Sequence, residues 1–273
     1  MTLKLSDLIR HYDIDSVDNM DHGRIDLFYR LFHRILEGYF RAEVRRLDRI
    51  PAGPALYVAN HSGGIMTFDS FVFGCALYRE RGPEYMPHGL GHDMIDWPVF
   101  NQIVVPLGAV RASHKNAHRL FSADKKVLVY PGGDYDDMRP WRDRYRIVFG
   151  GRTGYIKLAL RESVPIVPIV CAGGHNTLIV IDDLRWLARG LRLDKLLRTE
   201  VWPLTLSIPW GLTLGVVPVY IPFPARFLME AGPPITFDRT GPEAAADPAY
   251  VRHCADIVEA DMQATMSRLA AEL

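Results

Sequence analysis

The stretch Ala55-Leu56-Tyr57-Val58-Ala59-Asn60-His61-Ser62-Gly63-Gly64 places a histidine on a glycine-rich turn directly after an apolar run. A short apolar run that ends in turn residues predicts a buried β-strand, and ligands of open α/β sheets bind at the edge where such strands end. His61 is therefore predicted to lie at an edge of the sheet, where its imidazole can act as a base. The alternative is a hydrogen-bonded structural histidine, the commoner role for a single histidine.

The same arrangement of apolar run and turn occurs twice more along the chain. Residues 127–130 precede Pro131-Gly132-Gly133, and residues 166–171 precede Gly173-Gly174. Segments of helical length separate these runs, near residues 68–80, 114–124 and 152–163. The alternation predicts an α/β fold with a mixed, largely parallel sheet that is flanked by helices.

An N-terminal segment, residues 1–40, is predicted to be helical and to precede the main domain. Residues 24–40 carry apolar side chains at helical spacing with arginines between them, which is typical of an amphipathic helix. The rest of the chain, 41–273, contains no internal repeat and no low-complexity linker, so one domain is expected there.

Residues 182–225 differ in composition from the rest of this domain. They begin with a basic, leucine-rich helix pattern and continue into an uncharged stretch, 201–225, which five prolines interrupt. Because broken backbone is not tolerated in contact with lipid tails, this stretch does not predict a spanning helix. It predicts a peripheral or monotopic membrane-facing surface, or the wall of an apolar tunnel. A proline-rich edge of the core is the alternative.

The overall composition is that of an ordinary globular protein. The 273 residues are 48% apolar, and 32 basic residues balance 32 acidic ones, so the total charge gives no argument for nucleic-acid binding. Cys75, Cys171 and Cys254 are an odd number of cysteines in apolar surroundings, which favours buried free thiols in a reducing compartment. Charge interrupts the N-terminus too early for a secretory signal, so the cytoplasmic face of a membrane is the expected location.

Four blocks in a fixed order together resemble the glycerolipid acyltransferase superfamily. They are the histidine turn with Asp69, the block 107–111, the block 131–141, and the strand Val164-Pro165-Ile166-Val167-Pro168. Order and spacing make this resemblance more specific than any single block. Asn-His-Ser-Gly-Gly combined with Pro-Gly-Gly-Asp-Tyr-Asp is similar to the branch near monoacylglycerol and diacylglycerol acyltransferases.

This resemblance implies transfer of an acyl chain from a thioester to the hydroxyl of a glycerolipid. The thioester, acyl-CoA or acyl carrier protein, is a co-substrate, and neither a metal nor a tightly held cofactor is implied. His61 would take the proton of the hydroxyl. Amides of the turns Gly63-Gly64 and Gly132-Gly133 would hold the oxyanion, because glycine lets the backbone approach the reacting carbonyl closely.

The acid that would orient the histidine is displaced from its usual position. In the family motif it lies five positions after the histidine, where this chain has Met66, and the first acid is Asp69, eight positions on. Asp69 could orient the imidazole or only stabilise the first turn of a helix. Asp136 is the other candidate, since it matches an acidic position that often follows Pro-Gly-Gly in the neutral-lipid branch.

The block after Pro131 carries information about the substrate. Tyr135 stands where lysophosphatidate acyltransferases carry an arginine that suits an acceptor phosphate, so a neutral acceptor is favoured. Arg111, Arg139 and Arg142 are candidates for binding a phosphate or the nucleotide end of coenzyme A, with a solvated basic surface as the alternative. His175 is a candidate to line the site, or a satisfied polar residue of a loop.

Two other functions are compatible with the sequence. One is a catalytically inactive lipid-binding protein at a membrane surface, which keeps the fold but has lost catalysis with the altered spacing of histidine and acid. The other is a serine esterase or lipase with Ser62 as the nucleophile. Position 60 is asparagine, however, where a nucleophile elbow needs glycine for its sharp turn.

Overall fold

A seven-stranded sheet forms the centre of the molecule in the computed structural model, which describes residues 11–193 and 199–273. In chain order, the strands are β1 (Glu43–Arg45), β2 (Leu56–Ala59), β3 (His88–Gly91), β4 (Ala109–Arg111), β5 (Val127–Val129), β6 (Ile166–Ala172), β7 (Ile179–Asp182), β8 (Leu204–Ser207), β9 (Gly211–Leu214) and β10 (Leu228–Ala231). The α-helices are α1 (His22–Tyr39), α2 (Phe68–Arg81), α3 (Pro98–Val104), α4 (His114–Ser122), α5 (Asp134–Asp137), α6 (Gly154–Glu162), α7 (Arg185–Gly190), α8 (Pro242–Ala246) and α9 (Pro248–Ala270).

The strand order across the large sheet is β1-β10-β6-β2-β5-β3-β4. Strands β6, β2, β5, β3 and β4 are parallel, whereas β10 is antiparallel to β6 and parallel to β1. The predicted α/β fold with a mixed, largely parallel sheet is confirmed. Because β2 lies between β6 and β5, the turns that follow these three strands share one edge of the sheet.

Strand β2 lies at the centre of the core because both of its faces are covered. Leu56 and Val58 belong to the layer that contains α4, α6 and α9, while Tyr57 and Ala59 belong to the layer that contains α2. Successive side chains of a strand point to opposite faces, so a strand that is buried on both sides needs a continuous apolar run. This requirement explains why the run 55–59 identified the strand in the sequence.

Helix α1 presents an apolar stripe to solvent. The side chain of Asp21 caps the helix by accepting hydrogen bonds from the amides of Gly23 (2.8 Å) and Arg24 (3.1 Å), and Ile25 is buried. The helix predicted over residues 24–40 is present. Its exposed stripe consists of Leu27, Leu31, Phe32, Ile35 and Tyr39.

A second, three-stranded antiparallel sheet has the order β7-β8-β9, and its strands β8 and β9 lie within the segment 182–225 that was predicted to face a membrane. Leu206 and Leu212 are paired across β8 and β9, and both are exposed. Thr205 is buried, and its hydroxyl is 2.9 Å from that of Thr213 on the facing strand. Sheets with one face in water normally turn polar side chains outwards, so this small sheet has reversed polarity.

Helix α7 covers only the first part of the basic helix pattern predicted after Asp182. Residues 194–198, which hold the end of that pattern, lie outside the described residues. In the part of the chain that the structure describes, we find no helix with the length and apolar character needed to cross a membrane.

Candidate active site

Three turns meet at the carboxyl edge of the central strands. The turn after β2 carries His61, the turn after β5 leads into α5 with Asp136, and the turn after β6 carries His175. The amide of Gly64 donates a hydrogen bond to the carbonyl of Asp137 at 2.8 Å, which ties the first turn to the second. Residues predicted from three separate sequence blocks are therefore neighbours, at the edge where open α/β sheets bind ligands.

His61 is partly buried, and its imidazole stacks on the ring of Tyr130 with centroids 4.1 Å apart and 19° between the planes. Its backbone amide donates to Oδ2 of Asp136 at 2.6 Å. The Nδ1 atom is buried and makes no hydrogen bond within the described residues. Burial, together with the nearby Arg139 guanidinium, lowers the pKa of His61 to about 3. The ring is therefore neutral at neutral pH and can accept a proton.

Asp69 lies in the first turn of α2 and is 1% exposed. Its Oδ1 accepts a hydrogen bond from Oγ of Ser62 at 2.7 Å. Burial raises the pKa of Asp69 to about 6, and the hydrogen bond from Ser62 opposes this rise. The carboxylate thus contacts the residue next to the histidine and has no hydrogen bond to the imidazole among the described contacts. Its orienting role remains a prediction.

Asp136 holds the backbone of the histidine turn rather than the ring. Besides accepting the amide of His61, it forms a buried ion pair with the Arg139 guanidinium. Arg139 is 1% exposed and also donates to the carbonyl of Arg144 at 3.2 Å. Burial lowers its pKa to about 10. In this conformation the guanidinium of Arg139 is buried and paired with Asp136. This pairing does not fit the predicted role of Arg139 in binding a phosphate.

His175 lies inside the same cluster. Its Nε2 is 2.7 Å from the carbonyl oxygen of Arg139, so this nitrogen carries the proton and donates. Burial, and then the Arg139 cation, hold the pKa of His175 well below its usual range. The neutral imidazole thus supports the backbone behind the ion pair, while its buried Nδ1 makes no hydrogen bond within the described residues.

The glycines of the two turns have different environments. The amide of Gly63 donates to the carbonyl of Gly174 (3.4 Å), and that of Gly64 donates to Asp137, so neither is free to receive an oxyanion here. This corrects the expectation for the first glycine pair. The amide of Gly133 donates a long bond to the carbonyl of Tyr130 (3.3 Å). At Gly132, an added Cβ would overlap Asp136, and within the described contacts its amide has no backbone acceptor.

The predicted anion-binding arginines lie apart from one another. Arg111 is at the end of β4, three strands away from β2, which corresponds to about 14 Å at the usual spacing between strands. Its Nε lies 3.4 Å from a carboxylate oxygen of Asp15 and 3.7 Å from one of Asp93. Arg111 thus belongs to a surface ion-pair group at the far side of the sheet.

Arg142 borders an open cavity of about 430 Å³ next to the cluster. Its guanidinium is well exposed and lies 3.4 Å from Asp182. The cavity walls are rich in charge, with more cations than anions: Arg139, Arg142, Asp143, Arg146, Asp183 and Arg185, together with Pro140 and Val148. Arg142 therefore remains a candidate for binding an anionic group of a substrate.

Two tyrosines belong to the site and were missed by sequence reasoning. Tyr130 stacks on His61 and its hydroxyl hydrogen-bonds that of Ser70. Its position at the end of an apolar run, directly before Pro131, could have identified it in the sequence as a residue of the site. Tyr220 donates from its hydroxyl to the carbonyl of Gly63 at 2.6 Å, across 157 positions of sequence, and no local pattern marks it.

Residues 41–172, which include the histidine turn and the block after Pro131, match the model of the Acyltransferase family. The resemblance seen in the sequence is confirmed for this part of the chain. The match supports O-acyltransferase activity.

Comparison with individual proteins supports the same class. An uncharacterized protein of Mycobacterium tuberculosis is 29% identical over 262 residues, which cover 95% of this chain and 70% of that protein. The DGAT1/2-independent enzyme synthesizing storage lipids of Gallus gallus is 24% identical over 205 residues, 75% of this chain and 54% of that enzyme. The crystal structure of the 1-acyl-sn-glycerophosphate (LPA) acyltransferase PlsC from Thermotoga maritima aligns with a TM-score of 0.52 at 14% identity, covering 91% of this chain and 79% of that one. The last comparison establishes a shared fold.

Proposed function

We propose that this enzyme transfers an acyl chain from a thioester to the hydroxyl of a neutral lipid at a membrane surface, with His61 as the general base. The observation that carries the proposal is geometric: the imidazole of His61, whose Nδ1 makes no hydrogen bond within the described residues, lies on the turn between β2 and α2, beside the turn that carries Gly132. A hydroxyl is a weak nucleophile near neutral pH, and removal of its proton by a positioned imidazole speeds attack on a thioester by about 10²–10⁴-fold.

We infer a neutral acceptor because the cations around the turn after β5 are already paired with carboxylates. Tyr135 stands where a phosphate-binding arginine would be expected, and its hydroxyl contacts Glu200. Arg139 is occupied by Asp136, and Arg152 by Asp134 at 2.6 Å. These contacts leave the turn poorly suited to an acceptor phosphate. The relative from Gallus gallus is described as synthesizing storage lipids, which supports an acceptor such as a mono- or diacylglycerol.

The donor is inferred to be acyl-CoA or acyl carrier protein, both of which carry phosphate. The open cavity beside the cluster is lined by Arg142, Arg146 and Arg185. Arg185 is paired with Asp183 at 2.7 Å and Arg146 with Asp143 at 3.3 Å, whereas Arg142 is 64% exposed and lies 3.4 Å or more from its carboxylates. Guanidinium groups bind phosphate oxygens in a bidentate fashion, so this cavity suits the phosphate-bearing end of the donor. No cofactor is part of the proposed reaction.

The location is inferred to be the cytoplasmic face of a membrane, with the protein bound peripherally or monotopically. The reversed polarity of the small sheet, with Leu206 and Leu212 outwards, supports contact with an apolar phase. The exposed stripe of α1 is a second apolar surface, and the hydroxyl of Tyr39 at its end donates to the carbonyl of Pro222 at 2.7 Å. That bond makes α1 adjacent to the uncharged stretch.

The proposal is tested by incubating the purified chain with radiolabelled acyl-CoA and vesicles that contain one acceptor at a time. Monoacylglycerol, diacylglycerol, lysophosphatidate and a long-chain alcohol form the panel. We expect acylated product with a neutral acceptor and little with lysophosphatidate. Product with lysophosphatidate alone would contradict the neutral acceptor. Binding to vesicles without product from any acceptor or acyl carrier would favour a lipid-binding protein. That alternative is consistent with the described contacts, in which no carboxylate is hydrogen-bonded to the imidazole of His61.

The pH dependence of kcat/KM is expected to have an acidic limb near pH 6. Asp69, with its pKa raised to about 6, is ionised above this pH, whereas His61, with its pKa lowered to about 3, is already neutral there. If the charge of Asp69 supports the histidine turn, activity falls as the pH drops through about 6. The measurement is a pH profile of the wild type and of Asp69→Asn.

We expect Asp69→Asn to be less active and to lose this limb. Asp256→Asn, which changes an exposed carboxylate on α9, serves as the control and should retain the limb. Persistence of the limb in Asp69→Asn would assign it to another group.

A further inference from the structure

Residues 216–221 have one side in solvent and the other against the histidine turn. The side chains of Val219 and Ile221 are exposed by 60% and 55%, whereas Tyr220 between them is exposed by 4%. The chain bends at residues 218 and 219, and the alternation of exposed and buried side chains is confined to residues 219–221. Two exposed apolar groups therefore flank a tyrosine that points inwards.

The hydroxyl of Tyr220 fixes the peptide that follows His61 and Ser62. It donates to the carbonyl of Gly63 at 2.6 Å, while the amide at the other side of this peptide, from Gly64, donates to the carbonyl of Asp137. Gly64 has φ +80°, and an added Cβ would lie 2.7 Å from the tyrosine hydroxyl. Glycine is required there because of the backbone conformation and this close approach.

The same residues are bonded to the exposed hairpin of the small sheet. Nε1 of Trp210, whose side chain is largely in solvent, donates to the carbonyl of Val219 at 2.6 Å. The amide of Ile221 donates to the carbonyl of Ile208 at 2.8 Å. Both bonds are made by residues directly adjacent to Tyr220, so a displacement of the hairpin is transmitted to the tyrosine.

We propose that Tyr220 is a positioning residue that couples contact between the apolar hairpin and a lipid surface to the geometry of the histidine turn. Contact of Trp210, Val219 and Ile221 with lipid restricts their motion, and the hydroxyl of Tyr220 passes this restriction to the carbonyl of Gly63. The inference rests on the proposed function, since it assigns to the membrane a part in acyl transfer beyond holding the substrate.

The test compares the wild type with Tyr220→Phe on vesicles of equimolar phosphatidylcholine and phosphatidylglycerol that contain diacylglycerol. We expect kcat to fall by about two- to tenfold, the effect of losing one neutral hydrogen bond, with the KM for acyl-CoA and the affinity for vesicles unchanged and the melting temperature slightly lowered by the loss of a buried bond. Tyr250→Phe is the matched control, because it removes a tyrosine hydroxyl on α9 that accepts the amide of Arg239 and makes no contact with the histidine turn among the described contacts. An unchanged kcat in Tyr220→Phe, or a loss of kcat that accompanies weaker vesicle binding, would overturn the proposal.

A second measurement does not depend on activity. Hydrogen–deuterium exchange in peptides that span residues 57–68 should slow when vesicles are added to the wild type, and this slowing should be absent in Tyr220→Phe. If no acceptor is acylated by the wild type, the proposed function fails while this measurement still decides the coupling. Equal slowing in both proteins would overturn the coupling even if acyl transfer is observed.

Discussion

Replacement of His61 by alanine is expected to reduce acyl transfer by about 10²–10⁴-fold, the contribution of a positioned general base. Folding should be preserved, because the bonds that hold this turn to the rest of the site come from backbone atoms: the amide of residue 61 to Asp136 and the carbonyl of Gly63 to Tyr220. The measurement is kcat with acyl-CoA and the preferred acceptor, alongside the melting temperature. His118→Ala, which removes an exposed imidazole paired with Glu162, is the control and should be fully active.

Ser62→Ala separates direct acyl transfer from a serine hydrolase mechanism. With His61 as the base and the lipid hydroxyl as the nucleophile, this variant should retain most of its activity at high pH. The hydrogen bond from Ser62 lowers the pKa of Asp69, so its loss should move the acidic limb to higher pH. Near-complete inactivation of Ser62→Ala at every pH, with His61 intact, would contradict the proposed mechanism and support a covalent acyl-serine.

Replacement of Arg139 by methionine is expected to destabilise the fold by about 3–5 kcal/mol, because it leaves the buried carboxylate of Asp136 without its cation. The free energy of unfolding in urea measures this loss. The matched control is Arg252→Met on α9, which breaks two ion pairs near the surface, with Asp256 and Glu259, both at 2.7 Å. Exposed pairs contribute about 0–1 kcal/mol, so the control should unfold almost as the wild type does.

The free energy of unfolding of the double variant Asp136→Leu/Arg139→Met shows how far the loss in Arg139→Met is due to the unpaired carboxylate. Removal of both charges eliminates the uncompensated carboxylate, so the double variant should be more stable than Arg139→Met alone. The recovery is expected to be partial because Asp136 also accepts the amide of His61. If Arg139→Met costs no more than Arg252→Met, the ion pair does not hold the site together.

The central strands could be predicted from the sequence because their signal is local. A run such as Leu56–Ala59 is buried on both faces, and the turn residues that follow it mark where it ends. The order of the strands across the sheet brings the three turns together, which the alternation of strands and helices already favoured. The prediction that His61 lies at the carboxyl edge of the sheet followed from the same reasoning.

The contacts within the site could not be predicted because they depend on packing between distant segments. Asp136 and Arg139 are three positions apart, a spacing that is visible in the sequence, but only the fold buries them and turns an apparent phosphate ligand into an internal ion pair. The amides of Gly63 and Gly64 find acceptors on the two neighbouring turns, at Gly174 and Asp137. The partner of Asp69 likewise depends on the conformation of the loop before α2.

Because the small sheet has apolar side chains outwards and a polar one inwards, we expect substitutions there to have effects opposite to those in an ordinary sheet. At Leu212, which is 63% exposed, serine would improve solubility in the absence of lipid with little effect on folding, since most of this residue lies in solvent. At Thr205, by contrast, a larger apolar residue would overfill the interior and break the hydroxyl pair with Thr213. In related sequences, polarity at the outward positions would therefore indicate whether a given member works at an interface or in free solution.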